Sequence, residues 1–168
     1  MTGLERLLGW LERPIDWMVW VAILAGTLLM IHVSVDVTGR TVFNHPLPGT
    51  TEIVSAYYMI LAAYLPWAWV AKNDGHISAD LFTRMLPPRL AFWNSVGIKV
   101  VTIFYTAVFV WQTWLRAAQQ TAAGETWQAG AGYIPIWPSR WVLPLAAGLM
   151  CLYLVLRVAA DLSARLRR

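Results

Sequence analysis

Apolar residues along the chain are gathered into four long runs that contain almost no charge. The runs cover residues 17–35, 53–71, 90–115 and 141–157, and Lys99 and Arg157 are the only charged residues in them. A helix of about 19 residues is about 28 Å long, which matches the roughly 30 Å thickness of a bilayer's hydrocarbon. As helices, these runs are therefore long enough to cross a membrane.

The fold class follows from the effect of lipid on the backbone. Lipid offers no hydrogen bonds to backbone groups, so a spanning segment is helical unless it belongs to a closed barrel. The strands of a barrel alternate apolar and polar residues, whereas the four runs do not. The sequence predicts an all-α integral membrane protein with four transmembrane helices in a single membrane domain, residues 1–168.

Two shorter segments have the one-sided apolar pattern of helices that lie on a membrane surface. In residues 3–13, leucines recur at helical spacing opposite charged residues, and the pattern ends at Pro14. A second apolar stripe, in residues 77–86, ends at Pro87. The sequence therefore predicts short interfacial amphipathic helices at about 3–13 and 77–86.

The distribution of basic residues predicts the orientation of the chain. Nine Lys and Arg residues lie in the N-terminal tail, the second connection and the C-terminal tail, against three in the other two connections. Because basic residues are retained on the cytoplasmic face, both termini are expected to be cytoplasmic. The formal net charge of +4 then reflects topology and contact with anionic phospholipids, and we expect no nucleic-acid partner.

The sequence lacks the residue sets that enzymes and cofactor sites need. One cysteine, Cys151, excludes a disulfide framework and any site with several cysteine ligands. A metal site at His76 and Asp80 would need a further ligand, and only Asp74 is near. Haem would need paired axial ligands, but His32 is the only histidine in the apolar runs. We therefore expect no enzyme, no metal and no cofactor.

Charged residues at the ends of the first two runs are candidate functional residues. His32, Asp36 and Arg40 follow at four-residue spacing, and an Asp four residues before an Arg also forms an ordinary intrahelical pair. Glu52 falls in the first helical turn of the second run, where the helix dipole favours an acid. Partial removal from water predicts an opposite partner for Arg40 and for Glu52, within the chain or on another subunit. Alternatively, both lie in the hydrated headgroup layer, where they contribute little.

Lys99 and Arg140 are assigned to the lipid or subunit interface. Three interpretations of Lys99 remain open: its stem extends to the membrane surface and binds lipid phosphate, it pairs with an acid of a partner subunit, or it takes part in transport. Arg140 is one of the three basic residues on the side opposite the termini.

The pattern does not favour a chain that transports a substrate alone. A small homo-oligomeric exporter that couples to protons would need an acid deep in a span, and the acids lie at span ends. Larger transporters contain repeats with paired broken helices. Here only Pro66 interrupts a span deeply. An accessory membrane subunit is therefore the first hypothesis, and an autonomous four-helix exporter or channel is the alternative.

Three segments resemble the DctQ family, the small permease subunit of tripartite ATP-independent periplasmic (TRAP) transporters. Residues 36–52, DVTGRTVFNHPLPGTTE, resemble the family's first outer turn in their arginine, aromatic, proline and glutamate order. Residues 72–81, KNDGHISADL, resemble its inner connection, and PIWP at 135–138 with LPL at 143–145 resembles the entry to its fourth helix. The resemblance extends over about residues 17–156.

The resemblance implies a scaffold subunit in the bacterial inner membrane with two protein partners. These are a large multi-span permease subunit (DctM-like), which carries the substrate and sodium sites, and a periplasmic solute-binding protein (DctP-like). The complex would take up an organic anion such as a carboxylate. Arg40, Glu52, His76 and Asp80 match family motifs, and together with Asp36 we expect them to be structural or to lie at subunit contacts. The transported substrate is not predicted.

Overall fold

The computed structural model describes residues 3–73, 87–130 and 132–166 of the chain. Its elements in chain order are α1 (Gly3–Val42), α2 (Thr50–Ile53), a π-helical turn (Val54–Tyr58), α3 (Met59–Tyr64), α4 (Trp67–Lys72), α5 (Pro88–Ala123), β1 (Thr126–Ala129), β2 (Gly132–Pro135), α6 (Trp137–Arg140) and α7 (Val142–Leu166). Four helical segments are long and apolar enough to cross a membrane: Arg6–Val42, Thr50–Lys72, Trp93–Ala123 and Trp137–Ser163. We call these the first to fourth spans. They confirm the predicted all-α membrane fold.

The N-terminal segment differs from its prediction. Residues 3–13 are helical, but they continue without a break into the first span as one helix of 40 residues, with Pro14 inside it. The prediction of a separate short interfacial helix there is wrong, because the chain on both sides of the proline packs into one core. Leu8 and Ile15 are both buried in that core, and this burial offsets the backbone hydrogen bond that a proline removes. The second predicted interfacial helix, 77–86, lies outside the described residues.

The second span is the least regular of the four. It contains a π-helical turn at Val54–Tyr58 and a break at Leu65 and Pro66, between α3 and α4. Pro66 has no N–H group to donate to the preceding turn, which is the physical reason for a break at this position. A π-turn adds one residue to a helical turn, and here it shifts the faces of the tyrosines that it contains.

The fourth span lies at the centre of the packing. It packs along the third span over most of its length and also contacts the first and second spans. The buried core at one end of the bundle contains Leu8 and Ile15 of the first span, Ala68 and Ala71 of the second, and Met150, Tyr153 and Leu154 of the fourth. Small alanine side chains allow the helices to approach closely. Large apolar side chains that stay exposed, such as Trp20, Phe104 and Trp111, form the surface that lipid or another subunit covers.

The connection between the third and fourth spans contains a β-hairpin that the sequence did not predict. Its antiparallel strands pair Trp127 with Ile134 and Gln128 with Tyr133. The hairpin packs on the turn between the first two spans, where a Cβ atom on Gly130 would lie 3.1 Å from the Cβ atom of Pro48. We call the turn, residues 43–50, together with residues 124–136 the hairpin cap.

Candidate functional site

Ion pairs join neighbouring spans at the end of the bundle that carries both chain ends, which we call the terminal end. Lys72 of the second span lies between the two carboxylate oxygens of Asp16 of the first, at 2.8 and 2.9 Å from its Nζ atom. Lys99 of the third span donates to Asp161 of the fourth at 2.9 Å. Each pair connects two spans that are adjacent in the chain.

Ion pairs at the opposite end, the hairpin end, are more local in sequence. Asp36 accepts a hydrogen bond from Arg40 Nε, one helical turn away, at 2.8 Å. Arg140 forms a two-bond contact with Glu125, at 2.9 and 3.0 Å, so the carboxylate and the guanidinium meet in a fork. These pairs lie within the first span and across the hairpin.

The distance between the two ends matches the thickness of a membrane. The charged residues that mark the ends are Asp16 and Asp36 in the first span, Glu52 and Lys72 in the second, and Arg140 and Asp161 in the fourth. The members of each set are 20 or 21 residues apart in sequence, or about 30 Å along a helix axis, which is the hydrocarbon thickness. Lys99 pairs with Asp161 and therefore lies at a boundary. Its partner is an acid of the same chain, which none of the three interpretations of Lys99 included.

Asp36 fastens the turn of the hairpin cap to the first span. Its side chain is only 7% exposed, and besides Arg40 it accepts the backbone N–H of Leu47 at 2.9 Å. The same turn is held by the N–H of His45, which donates to the carbonyl of Gly39 at 3.0 Å. A buried carboxylate with several donors is well compensated for its loss of water. Asp36 thus connects helix and turn.

The π-helical turn directs two adjacent tyrosines to different parts of the molecule. Tyr57 donates its hydroxyl hydrogen to the carbonyl of Pro135 in the hairpin. Tyr58 lies edge-on to the ring of His32 in the first span, with ring centroids 5.8 Å apart. His32 Nε2 is also 3.5 Å from the hydroxyl of Thr50. The second span therefore contacts the hairpin on one side and the polar stripe of the first span on the other.

A second polar contact closes the base of the hairpin. The indole N–H of Trp141 donates to the hydroxyl of Thr121 at 2.9 Å, and its ring lies at right angles to Trp114. With the Arg140–Glu125 contact, this bond links the end of the third span to the start of the fourth. The hairpin cap is therefore connected to the first span through Asp36, to the second through Tyr57 and to the fourth through Arg140.

The structure brings together some of the sequence-predicted residues and not others. Asp36 and Arg40 form a pair, whereas Glu52 has no cation within 4.0 Å among the described residues. Lys99 and Arg140 each have an acid within the chain. His76 and Asp80 lie outside the described residues.

The sequence pattern did not indicate several residues that contribute to the site, among them Asp16, Tyr57, Glu125 and Asp161. One signal could have found the two acids of the terminal end: opposite charges stand at matching distances from the ends of adjacent apolar runs. No comparable pattern indicates Tyr57, because its contact depends on the π-turn and on the hairpin.

The contacts of the site hold helices and the hairpin cap together. In residues 3–73, 87–130 and 132–166, no group of three or more His, Cys, Asp or Glu could hold a metal ion. A shallow groove of about 560 Å³ between the third and fourth spans has an apolar lining that includes Trp111 and Leu152. Such a lining suits hydrocarbon and not a charged substrate.

Comparison with known families identifies a relationship over most of the chain. The family model described as "Tripartite ATP-independent periplasmic transporters, DctQ component" matches residues 29–164. The matched region begins within the first span and includes the hairpin cap and the ion pair of Lys99 with Asp161. No curated protein sequence matches the chain significantly.

Proposed function

The chain belongs to the DctQ family of TRAP transporter components, and from this premise we propose that it is the small scaffold subunit of a TRAP-type secondary transporter. In this role it associates with a large multi-span permease subunit in the bacterial inner membrane. The large subunit carries the substrate and sodium sites, and a periplasmic binding protein delivers an organic anion such as a carboxylate. The chain itself needs no cofactor.

The arrangement of charges carries this proposal. Among the described residues, charged side chains of the spans lie beyond the two boundaries or within about one and a half helical turns of them, and most of them pair within the chain. A transporter that binds its substrate alone needs polar groups near the middle of the membrane. The described part of this chain places its charged groups near the membrane boundaries, where most of them form ion pairs. This favours a structural role beside a subunit that performs the transport.

The proposed orientation places the terminal end in the cytoplasm and the hairpin cap in the periplasm. It rests on the nine-to-three distribution of basic residues. Reporter fusions after Arg168 and within residues 124–132 should report opposite sides of the membrane. Fusions that report the same side would contradict the orientation.

Affinity purification from membranes tests the proposed association directly. The tagged chain, extracted in a mild detergent from cells that express all three transporter components, should carry the large subunit with it in a fixed ratio. An unrelated four-helix membrane protein with the same tag is the control. Recovery of the chain only as an oligomer of itself would contradict the proposal and favour an autonomous exporter or channel.

A further inference from the structure

Glu52 differs from the other acids whose side chains the structure describes. Each of the others lies within 4.0 Å of a Lys or Arg: Glu12, Asp16, Asp36, Glu125 and Asp161. Glu52 has no such partner among the described residues, although it is partly buried at the membrane boundary. It lacks the cation that its counterparts have, although the N-terminus of its own helix favours an acid at this position.

Two of the three cations at the hairpin end are already engaged. Arg40 lies across the turn from Glu52 but contacts Asp36 at 2.8 Å. Arg140 is engaged by both oxygens of Glu125. Transfer of either arginine to Glu52 would break an existing pair, so neither is a free cation for Glu52.

The phosphates of lipid headgroups can pair with an unpaired cation of the protein more readily than with an unpaired acid. Arg116, five residues before Thr121, also has no acid within 4.0 Å among the described residues. Its long stem can carry the guanidinium the roughly 7 Å to the headgroup phosphates. Glu52 has a short side chain, and the same phosphates repel it. A cation fixed on a protein is the better partner for Glu52.

The surface beside Glu52 is an accessible strip of the second span. Thr51 is exposed at its end, and Met59, about two helical turns away, is 54% exposed. We propose that a helix of the large permease subunit packs along this strip and places a Lys or Arg against Glu52. The inference rests on the proposed function, and it defines the chemistry of one contact between the two subunits.

Charge reversal in the assembled transporter tests this contact. We expect Glu52→Arg to reduce recovery of the large subunit about tenfold, as for a partly buried charge pair across an interface, and Glu52→Gln to have a smaller effect. The control is Gln119→Arg, which adds a cation at an exposed position of the third span near the same end and should leave recovery unchanged. Restored recovery when a Lys or Arg at the same end of the large subunit is changed to Glu would identify the partner residue.

Three results would overturn the inference. The first is normal recovery of the large subunit by Glu52→Arg. The second is that Glu52→Gln lowers the thermal stability of the isolated chain as much as it lowers the recovery of the large subunit. This result would show that Glu52 interacts with the dipole of its own helix. The third is a change in self-association of the chain without a change in recovery of the large subunit, which would place a second copy of the chain on the strip. If the unmodified chain does not recover the large subunit, the proposed function itself fails.

Discussion

The two ends of the bundle are held by different kinds of contact. At the terminal end, ion pairs connect adjacent spans, as in Lys72 with Asp16 and Lys99 with Asp161. At the hairpin end, ion pairs are combined with backbone hydrogen bonds and close packing of glycine. Ion pairs near water contribute little, whereas a turn packed against a hairpin tolerates few changes. We therefore expect the hairpin cap to be the more rigid end and the more sensitive to mutation.

Substitution of Gly49 should cause the largest loss of stability. Its φ angle is +81°, and an added Cβ atom would lie 3.1 Å from Ala129 and 3.2 Å from Ile134. We expect Gly49→Val to destabilise the chain by about 3 kcal/mol, from backbone strain and overpacking together. Thermal unfolding in detergent, followed by loss of the monodisperse peak, measures the change.

Gly124 is the matched control for Gly49. Its φ angle is +60°, but a Cβ atom there would meet no atom within 4 Å. Gly124→Val should therefore cost only the backbone strain, about 1–2 kcal/mol. Equal losses of stability at the two positions would show that the hairpin does not pack on the turn.

Substitution of Asp36 should cause the second largest loss of stability. Asp36→Ala removes the acceptor of both Arg40 and the Leu47 N–H, so a partly buried backbone donor is left without its partner. We expect a loss of melting temperature smaller than that of Gly49→Val, and partial recovery in Asp36→Asn, which keeps an acceptor. An alanine variant as stable as the unmodified chain would contradict the role of Asp36 as a fastening residue.

The sequence predicted the spans far better than the contacts between them. The four helices follow from apolar runs of membrane length, and the Asp36–Arg40 pair follows from four-residue spacing. The hairpin was missed because each strand has only four residues, too few for an alternating pattern to stand out. The helix through Pro14 depends on burial of Leu8 and Ile15 against other spans, which a local pattern does not contain.

Tyr57 tests the link between the second span and the hairpin. Tyr57→Phe keeps the ring and removes the hydroxyl that donates to Pro135. We expect a loss of about 1 kcal/mol, the usual contribution of one hydrogen bond. Tyr105→Phe is a suitable control, because Tyr105 is 69% exposed on the third span. A loss no greater than that of the control would show that the hairpin is held without Tyr57.

Removal of the ion pairs of the terminal end should cause the smallest losses of stability, and the coupling energies of the two pairs should differ measurably. Asp161 is 30% exposed beside Lys99, whereas Asp16 is 49% exposed beside Lys72. Double-mutant cycles with Lys→Met and Asp→Asn should give a coupling of about 0.5–1 kcal/mol for the first pair and less for the second. A stronger coupling for the more exposed pair would contradict the difference in burial.

Sodium-driven uptake into liposomes tests the central claim most directly. Vesicles that contain only this chain should take up no dicarboxylate, keto acid or sialic acid under a sodium gradient. Vesicles that contain the chain with the large permease subunit, supplied with the loaded binding protein outside, should accumulate the binding protein's ligand. Uptake by the chain alone would show that it transports by itself, and would contradict its assignment as a scaffold subunit.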